Sequence, residues 1–140
     1  MVVFFYPKDD TPGCTKEAWC VSCRGRAAAP QRSLALRSSF RDSYQAFTDA
    51  GCEVIGISSD PPASHAAFKA KHRLPYTLLS DERSFVRNGF GIQSDLFGML
   101  PGRQTYVISK DGKCLMSFNS QMDATKHVTE ALAVIKAAAK

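Results

Sequence analysis

A chain of 140 residues with 44% apolar and 22% charged residues fits one globular domain, and none of its apolar runs is long enough to span a membrane. The formal net charge is +5, but the segment 19–39 holds four arginines and no acidic residue, so the charge is concentrated in one stretch. A nucleic-acid surface needs basic side chains organised on a folded face, and we therefore expect neither a nucleic-acid partner nor a membrane partner.

The first element of the chain is an apolar run at 2–6, which predicts a buried strand. Prolines, aspartates and a glycine follow at 7–13 and are typical of a loop. Cys14 then comes at the start of a predicted helix. The first N–H groups of a helix lack backbone partners and the helix dipole is positive there, and both effects favour a thiolate. Cys14 is therefore a candidate nucleophile.

The next segment, 19–39, is rich in alanine, arginine and serine, and Pro30 would break a helix through it. This composition predicts a flexible loop rather than a packed element. It contains the pair Cys20 and Cys23 in a Cys-x-x-Cys spacing. A zinc site would need a second pair of ligands nearby, and a redox pair of the thioredoxin type would need its first cysteine at the strand-helix junction, which Cys14 occupies. Neither alternative is eliminated by the spacing.

The rest of the chain alternates between helical and extended patterns. Helices are predicted from Phe40 to Gly51, at 60–72 and at 84–90, and strands at 53–58 and 76–79. A strand at 105–109, an Asp-Gly turn and a strand at 114–118 predict a hairpin, followed by a last helix with an apolar stripe. The order predicts an α/β fold in which a mixed central sheet has helices on both faces, a thioredoxin-like three-layer sandwich.

Five cysteines, an odd count, argue against a structural disulfide framework and favour a reducing compartment. Cys52 and Cys114 stand at strand starts and are predicted to be packing residues. The three histidines lie on predicted helices without ligand spacing, so we expect them to face solvent or to cap, and we expect Asp9 and Asp10 to be solvated loop residues.

The segment 5–18 reads Phe-Tyr-Pro-Lys-Asp-Asp-Thr-Pro-Gly-Cys-Thr-Lys-Glu-Ala. It resembles the active-site loop of the peroxiredoxins of the Q type, a family also called bacterioferritin comigratory proteins. Later segments at 40–44, 53–58, 78–82, 95–98 and 100–108 resemble its other motifs, and the resemblance extends over 2–18 and 40–135.

This resemblance implies a thiol peroxidase that reduces hydrogen peroxide and organic hydroperoxides through a cysteine sulfenic acid. Cys14 matches the peroxidatic cysteine, and Thr11, Pro12 and Arg103 match the residues that surround it. The family implies thioredoxin or glutaredoxin as the reductant, a monomer, no metal, no cofactor, and a plastid or cytoplasmic location.

The chain also departs from the family pattern. Many members carry a resolving cysteine five positions after the first, where this chain has Trp19, so Cys20 and Cys23 are the candidates. The family also has elements before the first strand, and the insertion at 19–39 interrupts its first helix. The sequence therefore suggests one domain, 1–140, that lacks N-terminal elements. It leaves two alternatives open: an inactive or aberrant chain derived from a peroxiredoxin, and a Cys-x-x-Cys disulfide oxidoreductase.

Overall fold

The computed structural model describes residues 1–11, 14, 39–94, 101–121, 123 and 125–138. Five strands form one sheet: β1 (Val2–Phe5), β2 (Val54–Ser58), β3 (Thr77–Ser80), β4 (Gln104–Ile108) and β5 (Cys114–Asn119). Four helices accompany it: α1 (Tyr44–Asp49), α2 (Pro62–His72), α3 (Phe85–Gly89) and α4 (Lys126–Ala138). Pro12, Cys20, Cys23, nearly all of the predicted insertion and the motif at 95–98 lie outside the described residues.

The sheet has the strand order β3-β2-β1-β4-β5 and combines both pairing modes, as the sequence predicted. β1 runs parallel to β2 and antiparallel to β4, and in the second pair Phe5 lies opposite Gln104. The end of β1 is thus beside the start of β4. This register brings the loop that follows β1 next to Arg103, which directly precedes β4.

β1 is the central strand, and it is buried on both faces because its side chains alternate between two apolar clusters. Val2 and Phe4 belong to the larger cluster, which also contains Phe47 of α1, Phe68 of α2 and Ile135 of α4. Val3 and Phe5 belong to the smaller one, on which the segment after α3 packs. Three helices therefore cover one face of the mixed sheet, and α3 lies on the other, where Arg87 packs over the Phe5 ring. The predicted thioredoxin-like sandwich is confirmed.

The helix predicted from Phe40 begins later in the structure, at Tyr44. Phe40 is fully buried in the turn before α1, and its ring stacks on that of Phe4 with 4.4 Å between centroids. The apolar spacing of Phe40, Tyr44 and Phe47 therefore indicated the core contact correctly but not the helix boundary. Among the described helices, none is both long and apolar enough to cross a membrane.

Candidate active site

The structure brings Cys14 and Arg103 together. Cys14 is in helical conformation, and Nη2 of Arg103 donates a hydrogen bond to its Sγ at 3.3 Å. Both side chains are almost completely buried, with exposed fractions of 2% for Cys14 and 3% for Arg103. The two residues are 89 positions apart in the chain and meet because β1 and β4 are antiparallel neighbours.

The contact between Arg103 and Cys14 bears on the reactivity of the thiol. Burial alone disfavours the charged form of a thiol, whereas a nearby guanidinium favours it, and the attraction between them is strong where water is excluded. Arg103 supplies that positive charge at hydrogen-bond distance. A buried thiolate held beside a fixed cation is suited to nucleophilic attack on a small polar substrate.

Of the other residues singled out from the sequence, Thr11 is described and half-buried. Its hydroxyl donates to the backbone carbonyl of Lys8 at 3.1 Å, which is a contact within the loop. Thr11 therefore has a hydrogen-bond partner within its own loop, and its predicted role toward Cys14 stays a prediction. Pro12, Cys20 and Cys23 are not described, and their predicted roles stay predictions.

Asp9 contradicts the expectation of a solvated loop residue, because its carboxylate is buried in a polar network. Oδ1 accepts a hydrogen bond from the Tyr6 hydroxyl at 2.8 Å, and Oδ2 accepts one from the Ser64 hydroxyl at 2.7 Å and lies 2.9 Å from Nδ1 of His65. The backbone N–H of Asp9 donates to Asp60 at 2.8 Å. Burial, together with the carboxylate of Asp9, raises the pKa of Tyr6, so its hydroxyl keeps the proton that it donates.

Asp10 forms a second link between the same loop and α2. Its carboxylate lies 3.0 Å from Nε2 of His72 and accepts from Nζ of Lys71 at 2.9 Å. The hydrogen bonds from His72 and Lys71 lower the pKa of Asp10. The backbone of Asp10 is left-handed, with φ of 55°, a conformation that aspartate tolerates better than most residues. Two consecutive aspartates thus hold the loop after β1 against one face of α2.

The prediction that the histidines face solvent or act as caps was wrong: His65, His72 and His127 are all buried. His65 and His72 are seven positions apart, so they lie on the same face of α2, the face that meets the loop. His127 receives a hydrogen bond from the Thr105 hydroxyl at 2.8 Å and donates through Nε2 to Ser120 at 2.9 Å. Within the described ranges, no group of three or more histidine, cysteine or acidic side chains is placed to hold a metal ion.

The two remaining described cysteines differ from each other. Cys52 is half-buried and packs against the larger apolar cluster, as predicted. Cys114 is exposed, so its predicted packing role is wrong. The reason is its position on β5, which is an edge strand of the sheet.

A family model described as AhpC/TSA matches residues 36–115, which is more than half of the sequence. The chain belongs to the AhpC/TSA family. This assignment confirms the resemblance drawn from the sequence motifs, and the matched range contains Arg103, although it begins after Cys14.

Curated relatives of the chain are named peroxiredoxin Q, chloroplastic. The protein of Gentiana triflora is 49% identical over 138 residues, which covers 99% of this chain and 55% of the relative. The protein of Arabidopsis thaliana is 50% identical over 137 residues, with 98% and 55% coverage. The chain therefore spans about half the length of the curated relatives that it matches.

Two of the solved structures that match the chain illustrate the shared fold. Peroxidoxin BcpB from Mycobacterium tuberculosis has 36% identity and a TM-score of 0.76, and the match covers 97% of this chain and 77% of that one. The bacterioferritin comigratory protein of Xanthomonas campestris has 28% identity and a TM-score of 0.76, with 99% and 79% coverage. That bacterial protein has an alkyl peroxide reduction activity and was captured as a trapped intermediate and ligand complex.

Sequence reasoning missed one residue of this AhpC/TSA site, the buried Arg87 on α3. The burial of the neighbouring side chains is the reverse of what their chemistry suggests. Phe85 is 71% exposed and Val86 is also exposed, whereas the guanidinium of Arg87 is buried. An arginine that follows apolar residues on a five-residue helix would be expected to face solvent. The position carried no pattern that would have indicated burial.

Proposed function

We propose that the chain is a thiol peroxidase in which Cys14 reduces hydroperoxides. The observation that supports this most strongly is the 3.3 Å contact between Nη2 of Arg103 and Sγ of Cys14 in a buried setting. A guanidinium at this distance both favours the thiolate and can polarise the O–O bond of a bound peroxide.

The proposed first step is attack of the Cys14 thiolate on the distal oxygen of the hydroperoxide. The S–O bond forms as the O–O bond breaks, Cys14 becomes a sulfenic acid, and the leaving alkoxide or hydroxide takes a proton to become an alcohol or water. Sulfur is oxidised by two electrons and the peroxide is reduced by two. Thr11 would hydrogen-bond the thiolate and the peroxide, and Pro12 would shield the site from water.

The proposed second step returns the thiol. The thiol of Cys20 or Cys23 attacks the sulfenic sulfur of Cys14, so that a disulfide forms and water leaves. A dithiol reductant, thioredoxin or glutaredoxin, then exchanges with that disulfide and regenerates both thiols. The electrons in this proposed cycle pass only through cysteine side chains and the external reductant.

The relatives support a more specific setting. Because the matched curated proteins are named chloroplastic, we propose a plastid location. Because the Xanthomonas campestris protein reduces alkyl peroxides, we propose that organic hydroperoxides are substrates. We also propose that the chain works as a monomer.

Peroxide consumption coupled to thioredoxin and its reductase tests the proposal. Cys14→Ser should abolish turnover, whereas Cys114→Ser, the same change at an exposed thiol, should leave it intact. Equal turnover by wild type and Cys14→Ser would refute the proposed nucleophile. A parallel assay of insulin disulfide reduction separates the alternative, since a Cys-x-x-Cys oxidoreductase would depend on Cys20 and Cys23 and not on Cys14.

A further inference from the structure

Arg87 is a second buried guanidinium close to the Cys14–Arg103 pair. Its exposed fraction is 6%, and its two terminal nitrogens donate to two backbone carbonyls. Nη1 donates to the carbonyl of Gly102 at 2.5 Å, and Nη2 donates to the carbonyl of Tyr6 at 3.1 Å. One planar side chain therefore links two chain segments that are remote in sequence.

The two carbonyls lie on the two segments that carry Cys14 and Arg103. Tyr6 directly follows β1 and begins the loop that leads to Cys14, and Gly102 directly precedes Arg103. The bridge thus joins the segment that carries the thiol to the segment that carries the guanidinium. Its two anchor points lie beyond the last register pair of β1 and β4, Phe5 opposite Gln104, so it continues the connection where the strand pairing ends.

Arg87 is itself held in place from several sides. The carboxylate of Asp81 accepts the backbone N–H of Arg87 at 2.9 Å, which fixes the start of α3. The guanidinium carbon lies 5.6 Å from the centre of the Phe5 ring. Burial lowers the pKa of Arg87, and Coulomb interactions with Asp81 and Cys14 act in the opposite direction. The side chain is therefore a fixed cation and not a mobile surface group.

The same region packs tightly on Gly102. A Cβ atom at this position would collide with the carbonyl oxygen of Gln93, and no side chain could be accommodated there without movement of the backbone. The N–H of Ile92 donates to the carbonyl of Arg87 at 3.2 Å, so the residues that approach Gly102 are tied to Arg87. The segment 87–93 thus holds the residue before Arg103 both by hydrogen bonding and by close contact.

We propose that Arg87 is a positioning residue that holds Arg103 against Cys14 by bridging the carbonyls of Tyr6 and Gly102. The inference deepens the proposed function, because it concerns the same thiol. It assigns to Arg87 an effect that passes through the placement of Arg103, not a contact with substrate. Lysine cannot replace it, because a single ammonium on a flexible stem lacks the planar fork that reaches both carbonyls.

The test is a double-mutant cycle on the rate at which iodoacetamide alkylates Cys14 at pH 6, measured for each cysteine by peptide mass spectrometry. Arg87→Gln and Arg103→Gln should each lower the rate of Cys14 alkylation. The expected decrease for Arg87→Gln is about tenfold, as is typical for coupled residues in one network. In the Arg103→Gln background, Arg87→Gln should have little further effect. Independent, additive effects would overturn the proposal, because they would mean that Arg87 acts without Arg103.

Two further variants make the cycle specific. Arg87→Lys should lower the alkylation rate of Cys14 as much as Arg87→Gln does. A wild-type rate in Arg87→Lys would overturn the proposal, because it would mean that the positive charge alone is sufficient. Arg83→Gln removes the same charge from an exposed position on the same segment and should leave Cys14 unchanged. Slowing of Cys14 by Arg83→Gln to the same extent would also overturn the proposal.

The sign of the effect separates positioning from loss of structure. Because Cys14 is buried, a variant that merely loosens the fold should alkylate it faster, and Cys52 with it; that outcome for Arg87→Gln would refute the positioning role. Since the assay contains no peroxide, its result stands apart from turnover. Inactive wild-type protein with a coupled Arg87–Arg103 effect would count against the proposed function alone.

Discussion

Asp9 and His65 form a buried polar pair, with 2.9 Å between Oδ2 of the carboxylate and Nδ1 of the imidazole. The other ring nitrogen, Nε2, lies 3.2 Å from the carbonyl oxygen of Leu79. Both nitrogens therefore face hydrogen-bond acceptors. The pair connects the loop after β1 to α2 and β3, so the contact that anchors this loop is internal to the fold.

Removal of this carboxylate should destabilise the protein much more than removal of its neighbour. Asp9→Ala leaves the buried side chains of Tyr6, Ser64 and His65 without their shared partner and should lower the free energy of unfolding by about 3–5 kcal/mol. Asp10→Ala breaks contacts of a carboxylate that is 49% exposed, and solvent screening should limit the loss to about 1 kcal/mol. Urea unfolding of the two variants in reducing buffer measures the difference, and equal losses would contradict the assignment of a buried pair at Asp9.

Gly102 and Gly89 should respond to alanine in opposite ways. A methyl group at Gly102 would collide with the Gln93 carbonyl, so Gly102→Ala should cost about 1–3 kcal/mol and slow the reaction of Cys14 by displacing Arg103. A methyl group at Gly89, within α3, meets nothing within 4 Å, and Gly89→Ala should stabilise by about 0.5–1 kcal/mol. Thermal unfolding of both variants checks the signs, and a neutral Gly102→Ala would show that the segment before Arg103 is free to move.

Peroxide treatment should link Cys14 to a cysteine of the 19–39 segment. We expect Cys20 as the main partner because it is nearer to the family's position, with Cys23 close behind, since the cost of closing a loop rises slowly with its length. Peptide mapping without reductant after one equivalent of peroxide identifies the link, and Cys20→Ser should shift it to Cys23.

A different pattern would change the proposed cycle. If neither link forms and Cys14 accumulates as sulfenic or sulfinic acid, the second thiol does not come from this segment. Linkage to the exposed Cys114 would contradict the prediction directly.

Local patterns in the sequence predicted local elements, whereas the distant contact between Cys14 and Arg103 was predicted only through the family resemblance. The apolar run of β1 and the hairpin of β4 and β5 each lie within a few residues, and the structure agrees with them. The Asp9–His65 pair spans 56 positions and the Arg87–Tyr6 bond spans 81. Neither aspartate nor arginine is expected inside a protein unless it is paired, and the partners become visible only in the folded chain.

His127 should make the fold sensitive to acid. Burial lowers the pKa of His127 to about 4, and the nearby positive charge of Arg103 acts in the same direction. Its ordinary value is 6.5, so between about pH 6.5 and pH 4 the unfolded chain binds a proton that the folded chain does not. The contribution to stability is thus present above pH 6.5 and is lost as the pH falls through this window.

The magnitude of that loss should be about 3 kcal/mol by pH 4, since each pKa unit corresponds to about 1.4 kcal/mol. Urea unfolding in reducing buffer at several pH values between 7.5 and 4 gives the slope of the free energy of unfolding against pH for the wild type. His127→Gln lacks the titrating group and should unfold more easily at pH 7.5 but with a shallower dependence on pH. All other ionisable groups are the same in both proteins, so the difference between the two pH slopes isolates the contribution of His127. Identical slopes would mean that another group carries the acid sensitivity and that His127 is protonated in the folded protein.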